Sequence, residues 1–312
     1  MARADHITWL HHGSRRVTRW GNLGLWRAPE RGTPPISSQS AAHTASTPTP
    51  TPTPTPPKAY ATACADLARA VGHAAGMQRG DTVLCLACGG GEELALWAED
   101  FGAVSVMALE LSPALAAQAR SRAEANLNGC VVDVYCADAR HLARQVGGRF
   151  HRIVCVDAVY HLGPRAPLVR AAYERLHVGG GLAWTDLVLE PAPGKEHGAR
   201  LGAGWRRAAL RAGARLAGIE LAELRSVADT LALWREAGFD DVRATRLDDE
   251  VLAGFCAHAR RQARRLPWHA RTTLSWLRVV VTTALIRVGR PADLGYALFS
   301  ARVKPKAESF GS

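Results

Sequence analysis

The stretch that decides the fold is "VLCLACGGGEE", residues 83–93, in which an apolar run ends abruptly in three glycines and two acids. An apolar run of this length bounded by glycine is typical of a buried strand that ends in a tight turn. Glycines allow a positive φ and a close approach to the backbone, because they have no side chain. We therefore predict that a nucleoside-bearing cofactor binds at this turn.

From residue 80 onward, apolar strands alternate with amphipathic helices. This alternation predicts right-handed βαβ units. We expect an α/β fold with a Rossmann-like, seven-stranded, mostly parallel sheet, helices on both faces and an antiparallel last strand. The glycine turn follows the first strand, where the strand order of such a sheet reverses and ligands bind. The other strands are predicted in "VSVMALEL", "CVVDVYCAD", "FHRIVCVDAV", "GLAWTDLVLE", "FDDVRATRLD" and "DLGYALFSARVK".

The chain divides into a short N-terminal segment and one large domain. Residues 1–58 are basic and end in "STPTPTPTPTPPK", a low-complexity run that predicts an extended linker. Residues 59–312 form the predicted α/β domain. It has a helical insertion at about 195–238 and a basic helical region at about 251–290.

The net charge of +11 lies at the two ends of the chain. Residues 1–58 hold 7 basic and 2 acidic side chains, residues 59–252 hold 21 and 24, and residues 253–312 hold 11 and 2. A basic end favours contact with an anionic membrane or nucleic acid, and the alternative is a solvated face that only improves solubility. The C-terminal region sets Trp268 and Trp276 among arginines, which suggests an apolar substrate lid resting on a membrane surface.

Seven cysteines, an odd number found largely in strand-like runs, predict a reducing compartment. We expect a cytoplasmic protein, with an organelle matrix as the alternative because the N-terminus is Arg-rich and acid-poor. Cys85 and Cys88 form a C-x-x-C without a second pair that would complete a zinc site, so no metal is predicted. No run reaches the ~18 apolar residues that a membrane span needs.

Three cofactor classes are compatible with a glycine turn after the first strand. A triphosphate loop needs a Lys followed by Ser or Thr, and the sequence after Gly91 has neither. A dinucleotide would place its pyrophosphate beside the "EEL" that starts the next helix, where two carboxylates repel it. S-adenosylmethionine has no phosphate and carries a sulfonium and an ammonium group, so acids at this helix start are harmless or helpful to its binding. Three acids come at the ends of the next three strands. Glu110 is placed to accept the ribose hydroxyls and Asp138 to accept from the adenine amine, while Asp157 lines the floor of the crevice.

These motifs resemble class I S-adenosylmethionine-dependent methyltransferases, above all the small-molecule branch with ubiquinone, sterol and tocopherol methyltransferases and cyclopropane synthases. The likeness covers about residues 60–189, and "NLGLW" (22–26) resembles the lid segment of these enzymes. The chain departs from the family at Cys85, where an acid is usual, and at Ala87, where glycine is usual. The resemblance implies cofactor-binding roles for Ala87, Cys88, Gly89, Gly91, Glu110, Leu111, Asp138, Ala139 and Asp157.

Methyl transfer is an in-line displacement, for which a protein supplies alignment and, for some nucleophiles, a base. Tyr160 and His161 follow the fourth strand, where the resemblance places a histidine beside the substrate. Asp186 ends the fifth strand and is expected to face the same crevice. We predict a methyltransferase that acts on a small or lipophilic acceptor. A nucleic-acid or protein methyltransferase and a non-catalytic S-adenosylmethionine-binding protein are the alternatives, although no base-stacking tetrad follows the fourth strand.

Overall fold

The computed structural model describes residues 22–26, 59–126, 129–190, 203–265, 267 and 274–304. The basic N-terminus up to residue 21, the Thr-Pro linker, Trp268 and Arg271 lie outside the described residues. The central feature is one seven-stranded sheet. Its strands are β1 Thr82–Leu86, β2 Ser105–Glu110, β3 Val131–Cys136, β4 Phe150–Cys155, β5 Leu176–Leu189, β6 Asp240–Arg246 and β7 Leu294–Arg302.

The strand order is β3-β2-β1-β4-β5-β7-β6, in which β1 to β5 are parallel and β7 is antiparallel to both β5 and β6. The predicted seven-stranded sheet with an antiparallel last strand is therefore confirmed. The order reverses between β1 and β4, so the carboxyl ends of these two strands flank a crevice. The glycine turn after β1 lies at this point.

Helices cover the two faces of the sheet and separate two apolar cores. Helices α1, α2, α3, α6, α8 and α9 contribute buried side chains to one core, and α4, α5 and α7 contribute to the other. The helices are α1 Tyr60–Ala74, α2 Glu92–Glu99, α3 Pro113–Asn126, α4 Leu142–Gln145, α5 Arg165–Glu174, α6 Ala203–Ala217, α7 Val227–Glu236, α8 Gly254–Arg265 and α9 Leu274–Gly289.

Strand β5 begins earlier than the sequence indicates. The predicted strand "GLAWTDLVLE" begins at Gly181, but β5 starts at Leu176, which pairs with Phe150 of β4. The register then shifts, and pairing resumes between Gly181 and Arg152. Glycine is needed at this irregularity for two reasons. Gly179 has a φ of +76°, which other residues rarely adopt, and a side chain at Gly181 would clash with the carbonyl of Ala75.

The two predicted helical regions are present in the described residues. The insertion contains α6 and α7, and Gly238 ends α7 with a φ of +104°. The C-terminal region contains a π-helical turn at Asp248–Ala253, followed by α8 and α9. Among the described helices, none is long and apolar enough to cross a membrane.

Candidate functional site

The turn after β1 is built from backbone conformations that favour glycine. Ala87, Gly89 and Gly91 have φ values of +55°, +57° and +80°. A Cβ at Gly91 would lie 2.8 Å from the Cβ of Ala119 on α3, whereas a Cβ at Gly89 would meet nothing within 4 Å. Gly91 therefore lets α2 and α3 pack closely, and Gly89 leaves open space beside the turn. Ala87 adopts the same conformation at a cost of about 1–2 kcal/mol relative to glycine.

The carboxylate of Glu110 joins the glycine turn to the end of β2. The N–H of Gly89 donates to Oε2 at 2.9 Å, and the N–H of Ser112 donates to Oε1 at 2.8 Å. Each oxygen has a second acceptor position. The side chain is fixed and buried, while Leu111 beside it is 56% exposed. The geometry suits an acceptor of two hydroxyl groups from a ligand in the crevice.

Asp138 follows β3 and starts a 3-10 turn at Ala139–His141. Its carboxylate accepts the backbone N–H of Arg140 at 3.0 Å and pairs with the guanidinium of the same residue at 2.6 Å. The hydrogen bond from Arg140 lowers the pKa of Asp138. Asp138 is therefore a charged acceptor that already has a strong local partner, and Ala139 is buried behind it.

Asp157, just beyond β4, is the centre of a buried polar cluster. The hydroxyls of Tyr296 and Tyr160 donate to Oδ1 at 2.7 and 3.1 Å, and the Asp157 N–H donates to Oγ1 of Thr185 at 2.7 Å. The Tyr296 and Thr185 hydroxyls are 2.9 Å apart, which closes a ring of hydrogen bonds. Burial raises the pKa of Asp157 to about 7, although these donors oppose the shift. Its φ of +55° is a strained conformation that is concentrated at functional sites.

Residues 22–26 close over this cluster. The N–H of Leu23 donates to Oδ2 of Asp157 at 2.6 Å, and the Tyr60 hydroxyl donates to the carbonyl of Asn22 at 2.6 Å. The ring of Trp26 stacks on His258 of α8 with centroids 4.6 Å apart. The "NLGLW" stretch thus lies against the carboxyl end of β4, and its role as a lid stays a prediction.

The segment around the glycine turn matches a known family. Residues 83–180 match the family described as a methyltransferase domain. The matched segment runs from β1 through β4 to the first residues of β5. This match confirms the sequence-based assignment to the methyltransferases. No curated protein matches the chain in sequence.

Solved structures with the same fold carry out different reactions. The cyclopropane synthase MmaA2 from Mycobacterium tuberculosis has a TM-score of 0.64 and 18% identity, over 77% of this chain and 84% of that chain. Phosphoethanolamine N-methyltransferase 2 from Haemonchus contortus, in complex with S-adenosyl-L-methionine, has a TM-score of 0.60 and 16% identity, over 77% and 53%. The 4+2 cyclase SpnF has a TM-score of 0.56 and 20% identity, over 78% and 82%. At these identities the similarity shows the fold.

Tyr160 and His161 belong to a short 3-10 turn, Val159–His161, just beyond β4. Their rings are 4.5 Å apart, and Nδ1 of His161 lies 3.0 Å from the carbonyl of Gly218, which follows α6. A carbonyl accepts only, so Nδ1 carries a proton, and Nε2 is the acceptor in the neutral ring. His161 is therefore oriented by Gly218, the residue that follows α6, and its catalytic role stays a prediction.

Asp186 was expected to face the crevice, and the structure corrects that prediction. Its carboxylate accepts two hydrogen bonds from the guanidinium of Arg165 on α5, at 2.9 and 3.0 Å. Successive residues of a strand point to opposite faces. Thr185 contacts Asp157 in the crevice, and Asp186 therefore points to the opposite face. It forms a buried ion pair there, because α5 supplies a cation under the sheet.

Two residues that bind the predicted site residue Asp157 were missed in the sequence, and so was the partner of Glu93. Thr185 and Tyr296 bind Asp157, and Glu93 contacts Cys85 at 3.1 Å. A polar side chain inside an otherwise apolar strand was the available signal for the first two. The predicted absence of a metal site stays a prediction, and among the described residues no cluster of three or more metal-ligating side chains occurs.

Proposed function

We propose that this protein is an S-adenosylmethionine-dependent methyltransferase that acts on a small or lipophilic acceptor. The observation that carries the proposal is the pairing of Gly89 with Glu110. The backbone beside Gly89 is open, and the Glu110 carboxylate is fixed with one acceptor position left on each oxygen. This arrangement fits an adenosine whose ribose hydroxyls donate to Glu110.

The charges in the crevice support a cationic cofactor. Glu93, Glu110 and Asp157 are each buried at the carboxyl ends of the parallel strands, with 7%, 8% and 7% of their surface exposed. Among the described residues, no ion pair neutralises these three carboxyl groups. Buried acids without a cation favour a positively charged ligand over a phosphate. A sulfonium group has this charge.

The chain's own residues provide alignment and proton acceptance. When bound, the cofactor supplies an electrophilic methyl carbon for in-line displacement. Residues 22–26 and the Asp157 cluster exclude water from the crevice, since Leu23 and Tyr296 both bind that carboxylate. His161, held through Nδ1, takes a proton at Nε2 from an acceptor that must lose one.

An apolar surface beside His161 supports a lipophilic acceptor. Leu210 of α6 lies next to Gly289 of α9, and Gly213 lies next to Leu285, so the two helices are antiparallel. Leu216 is therefore level with Val280, and these side chains are 80% and 45% exposed. Gly218, two residues further on, binds His161. The exposed apolar end of α6 is thus two residues away from the contact with His161.

The same helices carry a strong positive charge, which supports contact with an anionic membrane surface. Helices α6, α8 and α9 contain ten arginines and no acidic residue. A basic surface with exposed apolar side chains matches the chemistry of an anionic lipid bilayer. A lipid acceptor would reach His161 from that surface.

The test of the reaction is a methyl-donor assay with a lipid or metabolite extract, with and without nuclease treatment. We expect a product heavier by one methylene group that survives nuclease. Loss of the product after nuclease would favour a nucleic-acid substrate, and cofactor binding without any product would favour a non-catalytic binder. A His161→Ala variant with full turnover would contradict the proposed base.

Vesicle flotation tests the membrane surface. We expect the protein to float with anionic vesicles at low salt and to be released at high salt, because Debye screening weakens the attraction. Leu216→Asp should reduce flotation. The control is Val131→Asp, since Val131 is 63% exposed at the start of β3 at the opposite edge of the sheet. Equal loss in both variants, or flotation with neutral vesicles only, would contradict the proposal.

A further inference from the structure

The two acids that follow the glycine turn have different surroundings. Glu92 forms an ion pair with Arg122 of α3 at 2.6 Å, on the partly exposed side of α2. Glu93 is buried with 7% of its surface exposed, and its Oε1 accepts from the Sγ of Cys85 on β1 at 3.1 Å. The Glu93 carboxyl is therefore held below the glycine turn, between α2 and the sheet.

Among the described residues, the titratable groups that interact most strongly with Glu93 are thiols and carboxyl groups. They are the thiols of Cys85, Cys88 and Cys155, and the carboxylates of Glu110, Asp157 and Glu92. Burial raises the pKa of Glu93 to about 8, and the three neighbouring acids act in the same direction while the Cys85 thiol opposes them. At neutral pH, the free protein therefore holds a proton on a carboxyl group that lies among the residues of the proposed cofactor site.

We propose that Glu93 binds the positively charged part of the cofactor, and that its proton leaves to solvent when the cofactor binds. This inference rests on the proposed function. The O–H bond of the Glu93 carboxyl breaks, the proton passes to water or buffer, and the carboxylate faces the incoming cation. The Cys85 thiol remains a hydrogen-bond donor to the ionised group.

The position of Glu93 supports this role. The negative charges of Glu110, which fits the ribose, and of Asp157 at the end of β4 both raise the pKa of Glu93. Glu93 lies in the first turn of α2, two residues after Gly91, and its carboxyl group contacts Cys85 of β1, so it lies beside the glycine turn that the nucleoside would approach. A cation placed there lies next to a carboxyl group that has no other countercharge among the described residues.

Calorimetric titration of the full chain with S-adenosylmethionine tests the inference. The titration is performed at pH 7.5 in two buffers that differ in ionisation enthalpy, so the difference in heat gives the number of protons released. A carboxyl group with a pKa of about 8 is protonated in about three quarters of the molecules at this pH. We expect Glu93→Gln to release about 0.7 fewer protons than the parent protein, and the difference to vanish near pH 9.

A second readout is the pH dependence of affinity. Parent affinity for the cofactor should increase with pH up to about 8, by as much as tenfold per unit, and Glu93→Gln should lose the part of this dependence that Glu93 contributes. Glu92→Gln is the matched control and should release as many protons as the parent protein, because Glu92 pairs with Arg122.

The two possible failures are distinguishable. If the parent protein binds the cofactor and Glu93→Gln releases the same number of protons, the role of Glu93 is refuted and the proposed function stands. If the parent protein does not bind the cofactor in any buffer, the proposed function itself fails.

Discussion

Replacing Glu93 with glutamine is expected to change how the stability of the free protein depends on pH. Burial raises the pKa of Glu93 from 4.5 to about 8 in the folded state. The unfolded chain loses this proton near pH 4.5, while the folded chain keeps it up to about 8. The contribution of the Glu93 carboxyl group to the free energy of unfolding is therefore fully present below pH 4.5. It is lost as the pH rises from there through about 8.

The size of the effect follows from the shift in pKa. One pKa unit corresponds to about 1.4 kcal/mol, so a rise of the pKa from 4.5 to about 8 corresponds to roughly 5 kcal/mol. Between pH 5.5 and 7.5, the Glu93 contribution falls by about 2.5 kcal/mol. Glutamine keeps the amide oxygen as an acceptor for the Cys85 thiol and does not ionise, so Glu93→Gln should not show this loss.

Urea unfolding at pH 5.5, 6.5, 7.5 and 8.5 measures the effect without any ligand. We expect the free energy of unfolding of Glu93→Gln, minus that of the parent protein, to rise by about 2.5 kcal/mol from pH 5.5 to 7.5 and then to level off. Burial also raises the pKa of Asp157 to about 7, but this group is present in both proteins and cancels in the difference. Parallel curves for the two proteins would refute the assigned protonation of Glu93.

Two further substitutions test the turn and the polar cluster. Gly91→Ala should cost about 2–4 kcal/mol, because it combines a φ of +80° with a clash against Ala119. Gly129→Ala, at a φ of +84° with nothing within 4 Å, is the control for conformation alone, and an equal loss in both by thermal unfolding would show that packing against α3 does not matter. Tyr296→Phe removes the donor to Asp157 and should lower stability by about 1–3 kcal/mol and shift the pH profile of turnover upward. An unchanged profile would contradict the role of this hydroxyl in holding the Asp157 charge.

The sheet and the glycine turn could be predicted because their signals are local. The run before Gly89, the strand-end acid Glu110 and the regular alternation of strands and helices need only a few neighbouring residues to recognise. Strand β5 was placed less well. Its register shift near Gly181 depends on how the end of α1 packs against the strand, and a glycine run in the sequence does not distinguish a turn from an irregular strand.

The orientation of Asp186 shows a second limit. A strand exposes alternate residues to opposite faces, so a shift of one residue decides between the crevice and the opposite core. The sequence "WTDL" contains both a threonine and an aspartate at the end of β5. The ion pair with Arg165 holds Asp186 on the face that α5 covers. Thr185 therefore points to the opposite face, where it contacts Asp157 in the crevice.

By itself, the sequence determined the strands, the glycine turn and the acids that follow the strands, because each depends on residues adjacent in the chain. Only the tertiary structure decided which of these acids have partners. Tyr296 binds Asp157 across 139 positions, and α2 folds Glu93 back onto Cys85. The charge that a buried acid carries depends on what surrounds it in space, and those surroundings form only when distant segments pack together.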